Sequence, residues 1–405
     1  MYTMKNNSLS IITLLSLNMK VAYFNYLPLE YGGGTAKYFI ETASNMKKRY
    51  PDLDISIVTF SKELAKIILH LYSIYFLNYE IAKLEYNESY SETENMIKDV
   101  RYFKIHSISE LKSLLNKQDI VYAKNDIFEA FIIKCIVGIK NIRRLIYGFH
   151  TPLYYPQAPS FQSKVHNYIY HPRVYKYFLN GAYKYHVLND FEKNLLINKF
   201  GFRNVCKIYN PFDFTDFENK ARRNKYRFLW KKTNLNILWA GRLTEQKGVD
   251  DLIQIISRVN NTSKISNKIV WNIVGVGELQ KKIYLLEKRW KNINYFGYIK
   301  NDYMASIYKN NDIFLSTSKW ENFPYTILEA QTFGLPVFSY DIPGCNELIA
   351  SNVNGLLISD LKSYINELTR FISNPKFERR KIIKYIHSKI NTEEIYKKIY
   401  TLFVK

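Results

Sequence analysis

The stretch WENFPYTILEAQTFGLPV, residues 320–337, holds two carboxylates eight residues apart, Glu321 and Glu329, on either side of a Phe-Pro step. It is bracketed by the apolar runs DIFLSTS (312–318) and PVFSY (336–340). Short runs of this kind read as buried strands, and the segment between them reads as a helix. Pro324 suits the first helical position, where its missing N–H costs nothing. Glu321 then lies in the loop at a strand's carboxyl end, and Glu329 lies in the second helical turn. The plain reading of Glu321 is a favourable charge at a helix N-terminus, worth about 0.3–1 kcal/mol. For Glu329 it is a solvent-facing acid, a weaker reading because Ile327, Leu328 and Ala330 point to a buried helix where an unpaired charge is expensive. The alternative is that both acids accept hydrogen bonds from the paired hydroxyls of a ligand.

Outward from this stretch, the strand-then-helix alternation continues in both directions, the mark of an α/β protein with parallel sheets. The second half has strand candidates NILWA (236–240), VWNIVG (270–275) and INYFG (293–297) besides the two already quoted. The first half has KVAYF (20–24), ISIVTF (55–60), DIVYA (119–123), RLIYGF (144–149) and KYHVLN (184–189). A polar, basic segment from about Asp213 to Asn234 separates the two series and has the composition of a linker. With 405 residues the chain fits two domains rather than one core. Ligands of open parallel sheets bind outside the strands' carboxyl ends. The loops at Gly241, Gly275, Gly297, Ser318 and Tyr340 are therefore expected along one rim, facing a cleft between the lobes.

The composition, 47% hydrophobic and 23% charged, is that of a folded globular protein. Three distant cysteines, Cys135, Cys206 and Cys345, form no zinc or disulfide pattern and fit a reducing compartment. A formal charge of +22 predicts attraction to a polyanion, although an AT-rich codon bias toward Lys, Asn, Ile, Tyr and Phe also accounts for it. The apolar stretch Leu9–Leu17 is too short to span a bilayer and lacks a cleavage site, so it reads as a start-codon artefact or a short N-terminal extension rather than a secretion signal. The segment Leu64–Leu84 contains Lys66, His70, Glu80 and Lys83 and reads as a buried or amphipathic helix.

Four loops carry residues suited to chemistry. GRLTEQKGVDDLI (241–253) follows a strand and opens a helix; Gly241 allows a tight turn, and Arg242 and Lys247 place two cations where a phosphate would bind. The plain alternative is two solvated surface cations. VGVGEL (274–279) has Gly275 and Gly277 but Gln280 where a dinucleotide fingerprint needs a third glycine, so it either lets backbone approach a ligand or turns the chain. YGGGTAKY (31–38) contributes Gly33 and Gly34, permissive for close backbone approach. FHTPL (149–153) puts His150 at a strand's end, able to donate to a sugar or phosphate oxygen. Asp52-Leu53-Asp54 imitates a metal-binding DxD but precedes a strand and reads as a surface turn. Nothing else suggests a metal, and there is no GxSxG, HExxH or Walker motif.

Taken in order, GRLTEQKG, VGVGEL, FGYI, the Glu321/Glu329 pair with LEA, GLPVFSYDIPGCNELI and NGLLI resemble the family-4 retaining glycosyltransferases of GT-B architecture. The likeness is strong over 236–360 and weak over 19–215, where the glycine loop, FHTP and KIYNPFDF carry it. It implies two Rossmann-like αβα domains facing across a cleft: an extension (1–18), an acceptor-side domain (19–215), a linker (216–234), a donor-side domain (235–375) and a C-terminal helix (376–405) that can cross back to the first domain. It further implies that Arg242 and Lys247 neutralise the donor diphosphate, Glu329 binds ribose hydroxyls and Glu321 holds the transferred sugar. Tyr298 would meet the base, Gly241, Gly275 and Gly277 would line the donor, and Asn322, Phe323, Pro324 and Tyr325 would add contacts to it. Gly33, Gly34 and His150 would close the cleft from the other lobe, and Glu347 matches an acidic position near the domain interface. Relatives often have E-G-F-G where this chain has Glu321-Asn322-Phe323-Pro324, and Pro324 cannot donate the backbone hydrogen bond a glycine would. The aromatic-rich region 61–119 has no counterpart.

The expected reaction is metal-independent, retaining transfer of a hexose-type sugar from a UDP- or GDP-linked donor to a hydroxyl of a glycan or lipid-linked acceptor. No cofactor and no nucleic-acid partner are expected, and the location is cytoplasmic, peripheral at the inner face of an anionic membrane. The competing readings are a sugar-nucleotide epimerase of the same architecture and a non-catalytic basic module that binds membrane or nucleic acid.

Overall fold

The computed structural model describes residues 18–29, 33–75, 96–155, 161–224, 234–262 and 266–405. The Leu9–Leu17 stretch, the end of the Leu64–Leu84 segment and the middle of the linker lie outside them. Among the described residues no helix is long and apolar enough to cross a membrane.

Two sheets form. The first contains β1 (Met19–Asn25), β2 (Leu53–Phe60), β3 (Met96–Ile97), β4 (Val100–Ile105), β5 (Ile120–Lys124), β6 (Leu145–Phe149), β7 (Lys184–Val187) and β8 (Val205–Lys207), in the order 3-4-2-1-5-6-7-8. Only the β3–β4 pair is antiparallel. The second contains β9 (Leu235–Ala240), β10 (Ile269–Val274), β11 (Ile293–Tyr295), β12 (Ile313–Ser316), β13 (Val337–Tyr340) and β14 (Gly355–Ile358), all parallel, in the order 11-10-9-12-13-14. The expected α/β class and paired parallel sheets are thus present, and each of the ten runs read as strands is one. The described part of the region 61–119 contributes β3 and β4 to the first sheet. In VRYFKI the side chains of Arg101 and Lys104 interrupt the apolar run, which hid β4 from a search for continuous buried stretches.

Strands buried on both faces show why the first sheet is so apolar. Along β1, Val21 and Tyr23 enter one core, and Ala22 and Phe24 enter the other. β5 divides the same way, with Ile120 and Tyr122 on one side and Val121 and Ala123 on the other.

The last helix, Thr392–Val404, follows the second sheet in sequence but packs on the first. Phe403 is fully buried, 6.2 Å from Tyr23 and 6.4 Å from Tyr122, ring centre to ring centre. Its final carbonyls meet cations from the first sheet: Arg144 donates to the Phe403 oxygen at 3.2 Å and Lys184 to that of Leu402 at 3.1 Å. Positive charge is favourable at that end of a helix. At the other end Arg49 grips Glu393 through two nitrogens. The Asp52-Leu53-Asp54 stretch, expected as a surface turn before a strand, instead ends a turn at Asp52 and opens β2, and it serves packing too, with Asp52 accepting from Tyr400 at 2.9 Å and Asp54 pairing with Arg101.

The helix therefore holds the two sheets in one body, and Phe403→Ala should cost about 3–5 kcal/mol, the usual loss for a buried aromatic. A urea titration reads this as a lower midpoint; a midpoint unchanged from wild type would show that the helix is dispensable to the first domain.

Candidate functional site

In the second sheet the chain order reverses between β9 and β12, which lie side by side. A crevice opens at such a switch point, and the loops after these two strands meet there. Several hydrogen bonds sew them together. Trp239 Nε1 donates to Thr317 Oγ1 (3.0 Å), which donates to the Lys247 carbonyl (2.7 Å); Lys319 N donates to the Gln246 carbonyl (2.8 Å). Gly248 sits in the left-handed region at φ +64°, and a Cβ there would lie 1.9 Å from the Thr317 oxygen. Only glycine permits this approach.

The result is that Lys247 Nζ lies 2.5 Å from Glu321 Oε1, with side chains only 18% and 10% exposed. Ser318 Oγ donates to the same carboxylate oxygen at 2.8 Å. Arg242, in the same loop, is exposed and donates to Gln246 Oε1 at 3.2 Å. Glu329 occupies the second turn of the helix Tyr325–Thr332, as expected, with Pro324 at the N-cap, one place before the expected position. Its partner is Lys37 of the first domain, 3.3 Å away, whose ammonium also lies over the Tyr325 ring at 4.8 Å. Burial, then the Glu329 charge, holds the nearby Tyr308 phenol well above its ordinary pKa.

Gly275 and Gly277 serve packing between loops. A Cβ on Gly275 would lie 1.8 Å from the Gly241 carbonyl oxygen, and one on Gly277 would lie 2.6 Å from that of Leu243. They let one βα loop nest against the next and so position Gly241 and Arg242. The Gly275 N–H bonds the Gly297 carbonyl at 2.7 Å, which sets the neighbouring Tyr298, 49% exposed, on the same rim. Gly33 and Gly34 begin the helix bearing Lys37, and a side chain on Gly34 would meet open space.

The Asn322 and Phe323 side chains, expected as donor contacts, turn to the first domain. Asn322 Nδ2 donates to the Phe149 carbonyl at 2.5 Å and to Glu192 Oε2 at 3.3 Å, and it accepts from Asn189. Phe323 stacks on Tyr209 at 5.3 Å. Glu347 completes this seam: Tyr209 OH and the Asp190 N–H each donate to it at 2.6 Å, and Lys207 lies 3.3 Å away.

His150 lies within a chain of polar groups that decides its role. The Ile208 carbonyl can only accept, so His186 Nε2, 2.7 Å away, carries a proton. His186 Nδ1 must then accept from Tyr122 OH (2.7 Å), and the Tyr122 oxygen accepts from His150 Nε2 (2.8 Å). Burial holds both imidazoles neutral, with His186 lowered to about 4. His150 Nδ1, buried and unpartnered, is left as an acceptor. It suits a hydroxyl or N–H, and the expected donation to a sugar or phosphate oxygen is not open to it.

Lys37 and Glu192 were not anticipated. Lys37 carried a signal, being a cation early in a helix where the dipole disfavours it. Glu192 reads in sequence as half of an Asn189–Glu192 capping pair, and Asn189 Oδ1 does cap the Glu192 N–H at 2.8 Å. The carboxyl, however, turns inward, accepts from Leu153 N at 2.9 Å and lines a hollow between the domains. That hollow also includes Glu321, Trp320, Tyr154 and Phe191. Among the described residues no group of three or more His, Cys, Asp or Glu is placed to hold a metal ion.

Burial raises the Glu192 pKa to about 8 against an ordinary 4.5. Between these values the folded protein keeps a proton that the unfolded chain releases, so the stability present below pH 4.5 is lost as pH rises toward 8. Wild type should lose about 1 kcal/mol per pH unit relative to Glu192→Gln across that window. Urea midpoints of both proteins at pH 5.5, 6.5 and 7.5 read the difference; parallel pH profiles would contradict it.

Residues 221–389 match the family of glycosyl transferases group 1. The chain is 28% identical over 278 residues, 62% of its length, to an uncharacterized 41.2 kDa protein in the cps region of Klebsiella pneumoniae, 71% of which is spanned. It is 25% identical over 320 residues to the O-antigen biosynthesis glycosyltransferase WclY of Escherichia coli, covering 75% of this chain and 80% of that one. Several other curated relatives are spanned over only about a third to a half of their lengths. Of solved structures, Anabaena HepE in complex with UDP and glucose superposes with a TM-score of 0.67 at 18% identity, over 95% of this chain and 99% of that one.

Proposed function

Starting from a GT-B fold whose second domain matches the glycosyl transferases group 1, we propose that this chain is a glycosyltransferase that moves a hexose-type sugar, with retained stereochemistry, from a nucleotide-sugar to a hydroxyl of a glycan or lipid-linked acceptor. The observation that carries the reading is the largely enclosed Lys247–Glu321 pair at the switch point, with Arg242 beside it and the Lys37–Glu329 pair across the cleft.

Breaking the bond between the anomeric carbon and a nucleoside diphosphate leaves negative charge on the departing oxygen. Fixed cations aimed at that oxygen stabilise the transition state more than the ground state. In this reading Arg242 and Lys247 supply that charge, which is the role a metal ion would otherwise have. The diphosphate takes Glu321's place as partner of Lys247, and the freed Glu321 carboxylate accepts from hydroxyls of the transferred sugar. Glu329, drawn toward the first domain by Lys37, takes the ribose hydroxyls. His150 Nδ1 accepts from a sugar hydroxyl or an acceptor group. The acceptor hydroxyl enters on the face the diphosphate leaves and gives its proton to that diphosphate, so no protein base is needed.

UDP is the first base to test, since HepE was solved with UDP and glucose; the O-antigen role named for WclY supports a glycan or lipid-linked acceptor. We place the reaction in the cytoplasm, at the inner face of the membrane. An epimerase would release an altered sugar from the donor alone, without acceptor.

A thermal-shift screen of UDP- and GDP-sugars identifies the donor, because a bound ligand raises apparent stability by mass action. With that donor, Lys247→Ala should lower kcat at least 100-fold while changing KM by less than about tenfold, the pattern of an interaction made mainly in the transition state. An unchanged kcat would remove Lys247 from the mechanism.

A further inference from the structure

From Ala130 to Asn189 the sequence contains no Asp or Glu in sixty residues, but it contains eight Lys or Arg. At the chain's own frequency of 36 acids in 405, such a stretch would hold about five. Three of its cations, Lys134, Arg173 and Lys176, gather with exposed apolar side chains on one side of the first domain. The helix Pro172–Leu179 buries Tyr175 and Leu179 and turns Arg173, Val174, Lys176 and Tyr177 outward. Beside it the π-helical turn Ile132–Val137 adds Lys134, whose ammonium lies 5.1 Å over the Tyr177 ring. Phe131, exposed, reaches Phe178 at 6.2 Å. Tyr177 is 62% exposed, and Tyr168, on the preceding helix, is 75% exposed. Among the described residues none of Lys134, Lys164, Arg173 and Lys176 forms an ion pair with an acid.

We infer that this face docks on the anionic surface of a lipid bilayer, Tyr168, Val174 and Tyr177 entering the headgroup layer while Lys134, Arg173 and Lys176 pair with lipid phosphates. Charge complementarity selects the occupant. Cations without local acids suit a surface of fixed negative charge, attracted within a Debye length. Tyrosine with its apolar ring and polar tip suits the bilayer interface. A nucleic acid would use the cations but leave Val174 and Phe131 facing water.

The face is also connected to the site. Asn167, next to Tyr168, holds Tyr155 through both backbone groups, Tyr155 N donating to it at 2.8 Å and its amide donating back at 3.0 Å. Tyr155 stacks between His166 (3.9 Å) and Trp320 (4.5 Å), the residue before Glu321. A bilayer at this face would therefore present a lipid-linked acceptor one ring stack from Glu321. This last step rests on the proposed transferase function; the docking itself does not.

Flotation with vesicles of 30% phosphatidylglycerol in phosphatidylcholine, against pure phosphatidylcholine, tests it. Wild type should float with the anionic vesicles only. The triple variant Lys134→Gln, Arg173→Gln, Lys176→Gln should lose at least tenfold in apparent affinity, and Tyr177→Ser should weaken binding several-fold at unchanged charge. The charge-matched control Lys281→Gln, Lys288→Gln, Lys291→Gln, on the exposed side of the second domain, should bind as wild type does. Far-UV circular dichroism and an unchanged urea midpoint confirm that each variant is folded. Equal losses in both triples would assign the effect to net charge and overturn the assignment of this face. So would vesicle binding unaffected by the first triple, no binding by wild type, or binding of single-stranded DNA in place of vesicles. The flotation assay reads no sugar transfer, so its failure leaves the transferase reading standing, and loss of nucleotide binding leaves the docking result standing.

Discussion

An ammonium and a carboxylate 2.5 Å apart, each nearly withdrawn from water, sit where the order of the second sheet reverses. Such a pair is costly to desolvate, and a buried ion pair is poor evidence of stabilisation for its own sake. Its position is better understood as a stored charge pattern. In the proposed reaction the Lys247 cation acts on a phosphate, and without a donor it needs a counter-ion. Glu321 supplies one while being held in place by Ser318 and by the nested loops around Gly248. A diphosphate bearing a sugar can satisfy both groups at once, the phosphate for Lys247 and hydroxyls for Glu321. Neither part alone does so.

The second constraint is the seam between the domains. Asn322 follows Glu321 directly and is fastened to Phe149, Asn189 and Glu192 of the first domain. Gly344, at φ +85°, brings its own backbone against the Asn322 carbonyl, where a Cβ would lie 2.5 Å away. This gives the departure from an E-G-F-G pattern a physical meaning. The side chain that glycine lacks ties the Glu321 loop to the opposite lobe. Glu192, a neutral acid at ordinary pH, joins this seam without placing a second negative charge beside Glu321.

Much of this was legible in the chain. The β-branched and aromatic runs announced the strands, and their loops converge on one rim because parallel strands point the same way. The Lys247 and Glu321 loops could be matched on that ground alone. What could not be read were relations set by packing between distant segments. Lys37 meets Glu329 across 292 residues, and Glu192 meets Asn322 across 130. His150 was visible as a candidate, but its role as acceptor depends on Tyr122, His186 and the Ile208 carbonyl, a chain that no local pattern encodes. Gly275 and Gly277 were visible as permissive positions, yet whether permissiveness serves a ligand or a neighbouring loop is decided only by what lies opposite.

The claim that Glu321 holds the place of the diphosphate is tested most directly by calorimetric titration of UDP and GDP, without sugar, into wild type and Glu321→Gln. If the carboxylate competes with phosphate for Lys247, the nucleotide that binds wild type should bind the variant about tenfold more tightly, a gain of roughly 1.4 kcal/mol. Binding that is unchanged or weaker in Glu321→Gln would contradict the account.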